Sequence, residues 1–194
     1  MSRISRLQQK FEQLYIDAFL VTDQKNIYYL TGFNLLQGDG CLLVTPQNAI
    51  IITDERYQLA LEGFESDEVV ATISRDYYGS VNKICEGLNL TVLSYEDTIS
   101  YHLFDVFDEL MTSDIVPFHH LIEKMRLVKD STEINKLRAA AELQSAGYDY
   151  FLSIVHPGVT ERELAIKLDY WMKMQGASGP SFPTIVASGA NSAK

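Results

Sequence analysis

His119-His120 is the pair in this chain with the donor chemistry of a metal site, since neutral imidazole is the commonest side-chain ligand for transition metals. The preceding run Asp114 to Phe118 reads as a strand, however, and adjacent side chains on a strand point to opposite faces. The two rings are therefore expected to diverge and to chelate no common ion. His102 and His156 stand alone at a helix start and a helix end, where capping or solvent accounts for them. Asp54-Glu55-Arg56-Tyr57 sets carboxylates beside a guanidinium, but an acid at a helix start is explained by capping and the helix dipole. Gly38-Asp39-Gly40 has neither the preceding strand nor the spacing of a phosphate-cradling loop. No Gly-x-Ser-x-Gly and no Cys/His arrangement for a nucleophile is present. On residue types and spacing alone, the chain carries no catalytic constellation, and none of its acids or histidines sits at ligand spacing.

Composition narrows the partners. A net charge of −10 repels a phosphate backbone, which excludes nucleic acid and anionic membrane surfaces. An apolar fraction of 46% with 22% charged residues supports a folded core. Cys41 opens an apolar run and Cys85 lies on the inner side of an amphipathic helix, so both read as small core residues in a reducing compartment. Arg3 and Arg6, with no acid before Glu12, have a faint transit-peptide character, yet Ile4, Leu7, Phe11 and Leu14 form one helical stripe and read as the first helix. No run approaches the roughly 18 apolar residues of a membrane span, and a cytoplasmic protein is expected.

The elements follow in order. Ala18 to Val21 is an apolar run, Thr22 and Asp23 offer an N-cap for Gln24 to Leu30, and Gly32 stops that helix. Cys41 to Thr45 and Ala49 to Thr53 read as a hairpin around Pro46-Gln47-Asn48. Asp54 can cap Glu55 to Leu61, and Val69 to Ile73 is a strand. A helix follows with Val81, Ile84, Cys85 and Leu88 on one face. Thr91 to Tyr95, a helix carrying Leu103, Phe104, Phe107 and Leu110, and Asp114 to Phe118 complete an α/β domain with a mixed sheet. Beyond it, Asp130 with Glu133 and Thr160 with Glu163 have capping-box spacing for two helices separated by His156-Pro157-Gly158. Phe182 to Ala187 reads as a buried strand with nothing left to pair with it, so the chain is expected to be incomplete and to expose Trp171, Met172, Met174 and Ile185. Leu35 and Leu36, in the glycine-bounded loop Phe33 to Gly40, are expected to be exposed and to make a contact between subunits.

Asn26-Ile27-Tyr28-Tyr29-Leu30-Thr31-Gly32-Phe33, Thr53-Asp54-Glu55-Arg56-Tyr57, Arg126-Leu127-Val128-Lys129-Asp130 with Glu133-Ile134, and the run from Gly179-Pro180-Ser181-Phe182-Pro183 through Thr184 to Gly189 together resemble the creatinase/prolidase family. The last of these is the most specific. The resemblance implies a three-layer α/β N-terminal domain over residues 1–122, without catalytic groups, and the beginning of a pita-bread catalytic domain over 123–194. It implies an Xaa-Pro dipeptidase or aminopeptidase, acting on a proline-containing dipeptide or short peptide through two divalent metal ions (Mn, Co or Zn) that activate a bridging hydroxide. In such enzymes the catalytic histidine and the metal ligands lie downstream of the matched segment, so no catalytic and no metal residue is assigned in this chain, which alone is expected to be inactive. The Phe-x-x-Ile part of the last motif faces substrate in similar enzymes, which points to Phe182 and Ile185; as residues alone, both read equally well as core. A homodimer is implied as well. Two further readings stay open: an inactive family member that binds peptides or proteins, and a metal-free creatinase-like amidinohydrolase.

Overall fold

Ala18–Val21, Gly40–Val44, Ala49–Thr53, Val69–Ile73, Val92–Glu96 and Asp114–Phe118 are strands β1 to β6 in the computed structural model, which describes residues 1–193. They make one six-stranded sheet in the order β4-β3-β2-β1-β5-β6. β2 is antiparallel to both neighbours and every other pairing is parallel, so all strands but β2 end at the same edge. β1, β2 and β3 are buried along their whole length, which is why they read as unbroken apolar runs rather than alternating ones.

Successive strand residues feed two cores, one on each face. Phe19, Val21, Leu42, Val44 and Ile51 meet side chains of α1 (Arg3–Gln8), α2 (Phe11–Leu14), α3 (Gln24–Thr31), α4 (Gln58–Glu62) and α7 (Leu121–Leu127). Leu20, Leu43 and Ile52 meet α5 (Tyr77–Gly87) and α6 (Tyr101–Leu110). The result is a three-layer α/β/α domain, with Cys41 and Cys85 as free thiols buried in the second core. Burial pushes the Cys85 thiol up to about 11, so it is inert at neutral pH.

Local details depart from the sequence reading where non-local packing decides. The first helix is interrupted after Gln8, and Tyr15 closes α2 in a left-handed conformation, φ 56°. Thr45 leaves the strand and joins the hairpin loop, its backbone N–H donating to the Asn48 carbonyl. Leu88 falls beyond the last turn of α5 and is 47% exposed. Helix α7 is an addition to the elements expected; its Ile122 and Met125 lie in the first core, so the compact N-terminal unit runs Met1–Val128, past the division at 122/123. The expectation for Leu35 is corrected: it is fully buried in the first core, and only Leu36, 58% exposed, faces solvent. Phe33, stacked edge-on against Phe64, also turns inward and carries this loop onto the sheet.

At the shared strand end, a buried carboxylate gathers three segments. Glu96 Oε2 accepts from the Thr22 backbone N–H (2.7 Å), the Thr22 hydroxyl (3.1 Å) and the Asp23 backbone N–H (2.9 Å), while Oε1 accepts from Asn26 Nδ2 (2.7 Å). Asn26 Nδ2 also donates to Glu123 Oε1 (2.6 Å), and its Oδ1 accepts from Arg126 Nη1 (2.9 Å).

The second compact unit, Lys129–Lys194, contains α8 (Ser131–Ile154) and α9 (Glu161–Met174), each opened by the capping box expected of it. Gly147 lies where the two helices meet, with Met172 Sδ, Trp171 and Leu168 against its Cα. Trp171 stacks on Tyr150 at 5.1 Å, and Leu164 is the one large apolar side chain buried among the described residues of this unit.

Because Leu35 fills core space and Leu36 does not, Leu35→Ala is expected to destabilise the N-terminal unit by about 2–4 kcal/mol and Leu36→Ala by no more than about 0.5 kcal/mol. Urea unfolding followed by far-UV circular dichroism reads both; equal effects would put the two side chains in the same environment.

Candidate functional site

In α/β sheets, ligands bind outside the carboxyl ends of the parallel strands. Besides the Glu96 network, that edge carries two further polar clusters here. In one, Asp54 at the end of β3 accepts from the Arg56 backbone N–H (3.0 Å), from Arg56 Nε (2.9 Å) and Nη2 (2.7 Å), and from the Tyr77 hydroxyl (2.7 Å). Arg56 Nη2 also reaches Asp39 Oδ1 (2.8 Å), and the Tyr57 hydroxyl donates to Asp39 Oδ2 (2.7 Å). The hydrogen bonds from Arg56 and Tyr77 hold the Asp54 carboxyl far below the usual carboxylate range, and those from Tyr57 and Arg56 lower Asp39. A carboxylate held this firmly ionised cannot serve as a base near neutral pH. The cluster works as a clasp around the start of β2, where a Cβ on Gly40 would collide with the Ile52 carbonyl oxygen. Asp54 caps the following turn as its position predicts; its bond from Tyr77 and its link through Arg56 to Asp39 span too much sequence to be read from spacing.

The second cluster overturns the reading of the histidine pair. β6 ends at Phe118, so His119 and His120 lie on a turn rather than on a strand, and His120 is left-handed with φ 52°. Their ring centroids are 3.9 Å apart, and donor atoms of His119, His120 and Asp97 all lie within 4.8 Å of one another. His119 Nδ1 is 2.5 Å from Asp97 Oδ2, and this hydrogen bond lowers the Asp97 carboxyl. The opposite-face rule fails because the chain has left the strand one residue before the pair. The three donor groups are therefore brought near one another by the neighbouring strand end rather than by sequence proximity.

In the second unit, the strand expected over Phe182 to Ala187 does not form, since no strand among the described residues of this unit lies beside it to complete a ladder. The segment is held by side chains instead. The Thr184 hydroxyl donates to Asp169 Oδ1 (2.6 Å), and the Ser188 backbone N–H donates to Glu161 Oε1 (2.7 Å), with Asn191 Nδ2 3.1 Å from Glu161 Oε2. Between these tethers, Phe182 and Ile185 are 66% and 80% exposed. They are not core residues of this unit. Its described residues also do not fit a dinuclear metal centre: no three His, Cys, Asp or Glu side chains converge, and Glu161 and Asp169 are occupied by the tethers.

Comparisons with known proteins match both units in order. The profile of the Creatinase/Prolidase N-terminal domain matches residues 3–128, and that of Metallopeptidase family M24 matches 135–194. Among curated proteins, the chain is 31% identical to the uncharacterized peptidase YqhT of Bacillus subtilis, over 98% of this chain and 54% of that protein. It is 29% identical to the Xaa-Pro dipeptidase of Pyrococcus horikoshii, over 98% and 53%. Among solved structures it is similar to the X-Pro aminopeptidase of Thermotoga maritima, with TM-score 0.85, 29% identity, 100% of this chain and 55% of that one. The Xaa-Pro dipeptidase of Bacillus anthracis gives TM-score 0.82 and 31% identity over 92% and 50%. The chain thus spans about half the length of these curated relatives.

Asp54, Asp39 and Asp97 are all lowered in the folded state, so the stability they contribute is complete above their unfolded values near pH 4 and is lost as pH falls through the folded ones. Urea midpoints measured between pH 7 and pH 2 should fall below about pH 4, and Asp54→Asn should make that fall shallower. An acid limb with the same slope in Asp54→Asn would show that the Asp54 clasp does not contribute to stability.

Proposed function

Since the chain belongs to the creatinase/prolidase family, we propose that it forms the N-terminal portion of a metallopeptidase that hydrolyses the Xaa-Pro imide bond of dipeptides or short peptides. What carries this reading is the match of both units, in the same order, to proteins described as Xaa-Pro dipeptidases and aminopeptidases. In this reading the three-layer domain is the non-catalytic N-terminal domain, and the residues after it begin the catalytic one. Two divalent metal ions (Mn, Co or Zn) would supply Lewis-acid and hydroxide chemistry in such an enzyme, and the described residues of the second unit are not the ones that would hold them.

A bond to proline nitrogen has no N–H to donate, so a site that selects it must read the pyrrolidine ring by apolar shape. Phe182 and Ile185 suit that role, since both are apolar, both are exposed, and both sit on a segment tethered at Thr184 and Ser188. They form one wall of the proline pocket and position the substrate without touching the proton transfers. The enzyme works in the cytoplasm, in keeping with two buried free cysteines and no long apolar helix among the described residues. It is a homodimer, with the exposed Leu36 left as the loop's contact residue now that Leu35 is in the core.

The test uses the longer protein that contains this chain, supplied with Mn2+, Co2+ or Zn2+. Ala-Pro should be cleaved, Ala-Ala should not, and a chelator should abolish the activity. Phe182→Ala and Ile185→Ala should each raise KM for Ala-Pro by about tenfold, with kcat changed less. No Xaa-Pro cleavage with any of the three metals would overturn the reading.

A further inference from the structure

Asp97, His119 and His120 stand at the carboxyl ends of β5 and β6 and form a donor set that the hydrolytic reading does not use. We propose that these side chains bind one late divalent transition metal of the zinc type, leaving a further coordination position open to solvent. Two imidazoles and one carboxylate suit zinc, nickel or copper, whereas magnesium and calcium favour sets made of oxygen alone.

The arrangement is close to what such an ion requires. Bonds of about 2.1 Å in tetrahedral geometry put donor atoms about 3.4 Å apart. The three donor atoms here already lie within 4.8 Å of one another, so side-chain rotation closes the set without moving a strand. Asp97 Oδ2 and His119 Nδ1, 2.5 Å apart, share a hydrogen that an ion displaces as the two atoms spread to ligand distance. The left-handed His120 backbone, rare for an L-residue, brings its ring beside that of His119. The His119 and His120 side chains are 72% and 46% exposed, so an ion reaches them without unfolding the domain.

The surroundings hold the set in place and attract a cation. Glu123 Oε2 lies 4.0 Å from His120 Nδ1, and its other oxygen is fixed by Asn26 Nδ2 at 2.6 Å, placing an anchored carboxylate behind the imidazole. Asp97 follows directly on Glu96, which the buried hydrogen bonds from Thr22, Asp23 and Asn26 immobilise. With Glu123, Asp97 and a chain net charge of −10, a bound dication meets a favourable local field. A metal there would tie the turn after β6 to the end of β5. This inference does not rest on the proposed hydrolysis, since every residue in it belongs to the N-terminal unit.

The test is titration of the 194-residue chain with zinc chloride by isothermal calorimetry. One saturable equivalent is expected, with magnesium unable to compete. His119→Ala or His120→Ala should weaken binding at least about tenfold, while His102→Ala and His156→Ala should leave it unchanged. A second readout needs no substitution: substoichiometric Cu2+ should broaden the ring resonances of His119 and His120 before those of His102 and His156. Absence of saturable zinc binding, binding that survives His119→Ala, or equal broadening of all four rings would overturn the proposal.

Discussion

A buried carboxylate at the end of β5 constrains the whole carboxyl edge of the N-terminal sheet. Glu96 is 4% exposed, and a carboxylate taken out of water without partners costs several kcal/mol. Burial pushes its carboxyl up, against the hydrogen bonds from Asn26, Thr22 and Asp23 that favour the ionised form. Those partners are satisfied only if the turn after β1 and the first turn of α3 sit directly over Glu96. Asn26 then passes the constraint to α7 through Glu123 and Arg126. Losing any member leaves a buried polar group unpaired, so the network behaves as a unit.

The same edge shows how a fold can collect polar residues without making them catalytic. Asp54 and Arg56 saturate one another and their neighbours, and Asn26 uses both amide hydrogens and its oxygen on partners of its own domain. These residues belong to the motifs that resemble the creatinase/prolidase family, yet what they do in this chain is hold α3, β2 and α7 in place. The second unit presents the opposite situation. Ile134, Leu137, Leu152, Ile166, Tyr170 and Met174 are largely exposed on α8 and α9, and the segment carrying Phe182 and Ile185 is tethered by polar side chains with no ladder. In the hydrolytic reading those apolar surfaces are where the rest of a catalytic domain and its substrate pack.

Features encoded over a few residues were legible in the sequence. The capping boxes at Asp130 and Thr160, the cap at Asp23, the stop at Gly32 and the buried strand runs depend on neighbours within about one turn or on simple periodicity. Features decided by distant partners were not. Glu96 meets residues seventy or more positions away, and Leu35 sits in a loop whose composition hides that it turns into the core. The histidine pair escapes the strand rule because β6 ends at Phe118 and both histidines lie on a turn, His120 in a left-handed conformation. The Phe182 to Ala187 run has strand composition, but a strand is a relation between two segments, and composition reports only one of them. Phe182 and Ile185 were reached through resemblance, and in this chain both are exposed rather than packed in its core.

Amide hydrogen exchange on this chain tests the role of Glu96 most directly. If the carboxylate holds the edge, the Thr22 and Asp23 amides exchange as slowly as that of Leu20 inside β1, and Glu96→Ala releases them together with the first turn of α3 while Ile51 in β3 stays protected. Rapid exchange at Thr22 and Asp23 in the parent chain, or exchange unchanged by Glu96→Ala, would contradict it.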